Sequence, residues 1–251
     1  MHVFAGADAA APSHNPSCLK WQTYLRIAGV DVDVVPSTNH ASPSGALPFL
    51  LPASSDARPD VPLTGSKIAR YAHDHGARTD ADDDLASPSP RREAYLALLT
   101  QSVRPAWLYA LYLDPANGPL LADLYFSPSS SAASSSLLLR AANQRALRAA
   151  ATAEILKTTR RPLLDPPALA AEAEAAFRAL SALLADDDWF FGARAPGLFD
   201  AAVFAYTHPI LDDGLAWADD GLGARLARFA NLVAHRTALY ERCWGREAEN
   251  P

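Results

Sequence analysis

The chain has 251 residues, a formal charge of −6, and 49% hydrophobic against 20% charged residues, enough length and apolar content for one large or two smaller cores. That balance excludes disorder along the whole chain. The negative charge, with basic residues scattered and densest over Arg140–Arg148 and Lys157–Arg161, argues against a phosphate-tracking surface, so nucleic acid is not expected as a partner.

Two cysteines, Cys18 and Cys243, are too few for a disulfide framework and read as free thiols of a reducing compartment. The opening "MHVFAGADAAAPS" lacks the basic start and long apolar core of a secretory signal. No run approaches the roughly 18 apolar residues that span a bilayer.

In chain order, "HVFAG" (His2 to Gly6) is a short apolar run that predicts a strand. "NPSCLKWQTYLRIAG" predicts a helix with Asn15 as N-cap, Pro16 at its first position and Gly29 as its stop. "VDVDVV" (Val30 to Val35) alternates with period two, as a half-exposed strand does. "SGALPFLLP" (Ser44 to Pro52) reads as a loop entering a buried strand, with Pro48 at its mouth in a turn or a cis peptide. Val61 to Leu63 offers a further strand fragment, and Gly65 and Ser66 open a helix that Gly76 stops. The expected order is β-α-β, then β-β-α.

The acidic, proline-bearing stretch Ala77 to Pro90 then changes the composition, and beyond it the apolar spacing is almost wholly helical. These features divide the chain into an N-terminal domain over residues 1–78, a linker over 79–90 and a helical domain over 91–251. Helices are expected over Arg91–Leu113, with Pro105 kinking or breaking it, Leu137–Lys157, Pro167–Leu184, Asp200–Leu211 and Leu222–Cys243. The serine-rich 127–136 lacks apolar residues to offset its ordering entropy and reads as a mobile loop.

Cys18 lies near a helix N-terminus, where backbone N–H groups favour a thiolate. Placed at 100° per residue, however, it borders an apolar stripe of Trp21, Tyr24, Leu25 and Ala28, opposite a wetter face of Gln22, Thr23 and Arg26. Buried free cysteine behaves as a small hydrophobe, so Asn15, Cys18 and Trp21 are read as structural. Gly197 and Asp200 occupy the N-cap and N3 positions of a later helix. Only half of a reciprocal cap is available there, and Asp200→Ala is expected to cost about 1 kcal/mol.

His73 and His75 around Asp74, and the two Asp-Asp-Gly turns within Leu211–Gly223, are read as helix-end contacts and caps rather than metal ligands. Trp107, Tyr109 and Tyr112, and the "WFF" at Trp189–Phe191, are read first as core.

A βαβ-ββα unit with a proline opening its third strand, followed by helices, resembles the glutathione transferases: an α/β thioredoxin-like N-terminal domain joined to an all-α domain. The resemblance implies a catalytic Ser or Cys after the first strand, a cis proline, and a Ser that holds glutathione at the helix after the sheet. It places a peptide or ligand cleft at Ser13, Leu47, Pro48 and Ser66. Gly65 stands where glutathione-binding members usually have Glu or Gln.

Within that fold, "NPSCLKWQTYLRIAGV", "NHASPSGALPFLLP" and "FFGARAPGLFDAAVFAY" resemble the metaxin family, in particular the fungal metaxin-like subunit of the mitochondrial sorting and assembly machinery. The resemblance implies a protein without catalytic residues, cofactor or metal, peripheral on the cytosolic face of the mitochondrial outer membrane. It also implies as partners a β-barrel subunit, a second metaxin-like subunit and the β-signal of barrel precursors. The alternative is an active glutathione transferase or related thiol-dependent enzyme.

Overall fold

The computed structural model describes residues 1–4, 10–76, 89–126 and 137–245. The predicted linker as far as residue 88, and the predicted loop at 127–136, lie outside the described residues.

The sheet is small. Strand β1 (His2–Val3) pairs in parallel with β2 (Val35–Pro36), through Val35 N–H to Met1 C=O at 2.8 Å and Ser37 N–H to Val3 C=O at 2.9 Å. On its other side β1 meets Phe49 antiparallel, and Leu50 in turn pairs with Leu63. The pairing order β2, β1, Phe49–Leu50, Leu63 is that of a thioredoxin-like sheet. The Leu47–Pro48 peptide is cis, one of the two solutions expected for a proline at a strand mouth. Of the strand expected over Val30–Val35 only Val35 falls within β2, at the edge of this sheet and 41% exposed, although Asp33 C=O accepts from the Met1 amino group.

Helix α1 (Pro16–Ile27) starts as its sequence dictates, with the Asn15 carboxamide accepting from Ser17 N–H at 3.0 Å and Cys18 N–H at 3.3 Å. Its environment differs from the expectation. Gln22 is 2% and Thr23 0% exposed, so the face expected to be wet is buried. The Gln22 carboxamide oxygen accepts from Ser13 N–H at 3.0 Å, and the Thr23 hydroxyl donates to Leu19 C=O at 2.7 Å. The Gln22 carboxamide oxygen and the Thr23 hydroxyl thereby find partners within the chain. Helix α2 (Ser66–His75) follows the sheet, with Gly65 at φ 54° before it and Gly76 after it.

The remaining elements are helical. The predicted helix from Arg91 is divided just before Pro105, running as α3 (Pro90–Leu98), a π turn (Leu99–Val103), α4 (Arg104–Leu108) and a second π turn (Tyr109–Leu113). The wider turns on either side of the proline absorb its missing donor and ring bulk. Helix α5 (Gly118–Phe126), which sequence reasoning missed, is followed by α6 (Leu137–Thr159), α7 (Pro166–Leu184) and α8 (Leu198–Ile210).

The helix expected from Leu222 is two, α9 (Gly221–Leu226) and α10 (Ala230–Trp244), parted at Phe229. Asn231 explains the break. Its side-chain amide donates to Ser181 C=O at 2.9 Å and Ala185 C=O at 3.0 Å, satisfying carbonyls at the end of α7.

Two cores result. One lies among α3 to α9 and Leu232 of α10; the other joins the sheet, α1 and α2 to Ala201, Phe204 and Ala205 of α8 and Leu239, Cys243 and Trp244 of α10. Phe204, His208, Tyr240 and Trp244 stack nearly parallel, and Arg26 of α1 lies over Trp244 while donating to Cys243 C=O at 2.8 Å. Among the described residues no helix is long and apolar enough to cross a membrane.

Candidate functional site

Ser13, shortly before α1, lies in the interior rather than at a cleft. Ser13 is 1% exposed, its hydroxyl donates to Phe4 C=O, and the same oxygen accepts from Asn15 N–H at 3.2 Å. Cys18 sits behind it, fully buried, with Sγ accepting from Phe4 N–H at 3.4 Å. Burial pushes the thiol up to about 12 against the opposing effect of its polar neighbours Phe4 N–H and Ser13. At neutral pH it is a thiol, with no surface exposed to a reactant.

Aromatic side chains close the space above. Phe4 and His14 pack on Tyr125, at 5.7 and 5.3 Å between ring centroids, and the Tyr125 and Tyr112 hydroxyls bond each other at 2.6 Å. Desolvation raises both phenols, so neither serves as a base near neutrality.

The other expected cleft residues divide. Leu47 and Pro48 are buried, and Leu47 N–H, the donor that a peptide-like ligand needs, already bonds the Asn39 carboxamide at 3.1 Å. Ser66 is exposed at the start of α2. The structure therefore corrects the cleft: Ser13 is part of the core, Leu47 is satisfied from within the chain, and Ser66 alone of the four faces solvent. Asn39, the residue that closes the strand mouth, gave no signal in sequence beyond being a turn former.

At the second motif, Asp200 (2% exposed) accepts from Phe190 N–H, Gly197 N–H and His235 Nε2, each at 3.0 Å. It ties the turn before α8 to α10. Glycine offers no side chain to complete a reciprocal cap, and His235 supplies the further contact, 35 residues away.

The weaker candidates resolve as structural. His75 stacks on Tyr71 at 4.0 Å and lies 3.5 Å from Asp56, while Asp212 and Asp219 accept from Gly214 and Gly221 N–H in their turns. Trp107 and Tyr112 are core, 3% and 8% exposed. Among the described residues no group of three His, Cys, Asp or Glu side chains could hold a metal.

Comparison with known proteins agrees with this geometry. Residues 16–117 match a family described as glutathione S-transferase N-terminal domain, and residues 173–239 match the glutathione S-transferase C-terminal domain. Over 114 residues the chain is 32% identical to Metaxin-3 of Xenopus laevis. The chain has the glutathione S-transferase fold, and over the matched stretch it is similar to a metaxin. The match covers 45% of this chain and 35% of Metaxin-3, so the chain spans about a third of the length of that relative. What sets this chain apart from an open thiol-binding site is local: a core serine, a buried thiol and a strand mouth closed by Asn39.

Proposed function

We propose that this chain is a non-enzymatic subunit of the mitochondrial outer-membrane sorting and assembly machinery, peripheral on the cytosolic face, which helps receive and insert β-barrel precursors. The likeness to Metaxin-3 supports the family role, and the observation that carries the non-enzymatic part is the burial of Ser13 and Cys18, with the Ser13 hydroxyl bonded to Phe4 C=O. A transferase needs a hydroxyl or thiol that reaches its ligand, and here both groups serve the core.

On this reading the protein works through its surfaces. Its partners are the β-barrel subunit, a second metaxin-like subunit and the β-signal of precursors. They meet the exposed rim around Ser66 and the helical surface, not Ser13 or the Leu47 N–H.

The test is affinity purification of the tagged chain from detergent-solubilised mitochondria. Recovery of a membrane β-barrel protein with a second subunit of this fold is expected. Retention on immobilised glutathione, with electrophile conjugation that disappears in Ser13→Ala or Cys18→Ala, would instead establish the transferase reading.

A further inference from the structure

A cavity of about 330 Å3 opens where α1 meets α3, α4 and α8. Its walls are Trp21, Leu96 and Leu99, and its polar groups include Lys20, Arg104 and Tyr206. Lys20 lies about 160° round α1 from Cys18, so this space is on the opposite face of the helix from the sealed thiol.

The charges in the cavity are unbalanced. No carboxylate lines it, and the Arg104 guanidinium is already paired with Glu154. Lys20 Nζ has no hydrogen-bond or carboxylate partner among the described residues; it rests over the Trp21 ring, 4.6 Å from the centroid. The first turn of α1, beside it, contains no acidic residue, and a helix N-terminus adds positive potential.

Burial lowers the Lys20 pKa, the mark of an ammonium that has lost water without gaining an anion. Tyr206, which burial holds protonated by pushing its phenol up to about 12, has a hydroxyl with no partner among the described residues. A half-desolvated cation and a free donor at the end of an apolar slot are complementary to one monoanionic head on an apolar body.

We propose that this cavity binds a small amphipathic carboxylate, its head on Lys20 and Tyr206 and its body against Trp21, Leu96 and Leu99. A single uncompensated cation suits a monoanion better than a phosphate dianion. The volume falls at the lower end of small-molecule sites, near 300 Å3, which suits a ligand of one ring and a short chain. The proposal is independent of the assembly role, since it concerns a small ligand and not a protein partner.

The test uses 4-phenylbutyrate on the full chain, by calorimetry and tryptophan fluorescence, with 4-phenylbutanol and 4-phenylbutylamine as neutral and cationic isosteres. The expected result is saturable binding of the acid, about tenfold weaker binding of the alcohol and none of the amine. Lys20→Met weakens acid binding by about tenfold without lowering the melting temperature, because it removes a poorly solvated charge. Lys20→Arg, which keeps the charge, retains most of the affinity. Trp21→Phe removes the fluorescence response while calorimetric binding persists, which locates the ligand. Absence of saturable binding by the acid, equal binding of acid and alcohol, unchanged affinity in Lys20→Met, or equal loss in Lys20→Met and Lys20→Arg each overturns the proposal.

Discussion

Asp200 is more than a helix cap. Its carboxylate receives two backbone N–H groups and the His235 ring at 3.0 Å in a site closed to water, so Asp200→Ala strands three buried donors at once. An isolated cap costs about 1 kcal/mol, whereas this loss is expected to cost about 3 kcal/mol in urea unfolding, with Asp200→Asn between the two. A midpoint shift no larger than that of a surface cap would show that the contact to α10 contributes nothing.

Two other buried histidines govern the response to acid. His14, among Phe4 and Tyr125, is held down to about 4, and His208, between Phe204 and Tyr240, to about 3, both chiefly by desolvation. Their ordinary value is 6.5, so the unfolded chain binds protons that the folded chain refuses. Stability is therefore full above pH 6.5 and falls as the pH drops toward 4 and then 3, at most by about 1.4 kcal/mol per pH unit for each histidine. Melting temperatures between pH 7 and 5 should decline, and His208→Gln should flatten the decline.

At the scale of the element, legibility follows locality. Asn15 capping α1, the special peptide before Pro48 and the core role of Cys18 depend on neighbours within a few residues, and all three could be read from the letters. The burial of Gln22 and Thr23 could not, because α1 is packed between elements distant in sequence, α8 and α10 among them. Nor could the closing of the strand mouth by Asn39, a side chain whose partner is eight residues away across a loop. The uninterrupted reading of the last helix failed for a similar reason: the chain breaks before Ala230, and Asn231 in the first turn of α10 bonds carbonyls at the end of α7, some 50 residues upstream. The helix over Gly118–Phe126 was legible and overlooked, since a proline at its second position and leucines at 120, 121 and 124 fit a short amphipathic helix.

For the whole molecule, the two cores meet along α1, α8 and α10. The N-terminal unit does not close its own interior; Leu239, Cys243 and Trp244 complete it, and Arg26 fastens it to the last turn of α10. A chain ending at residue 229 is thus expected to lose native packing in its first 76 residues as well as at the cut. Near-UV circular dichroism should collapse and a hydrophobic dye should bind. A sharp melting transition with protected α1 amides in that truncated chain would show the N-terminal unit to be self-sufficient.

The bond from Arg26 to Cys243 joins positions separated by 217 residues. During synthesis the first helix leaves the ribosome long before the α10 residues that pack on it are translated. Its apolar faces must wait, uncovered, until those residues emerge, a period in which a holding chaperone has its clearest target.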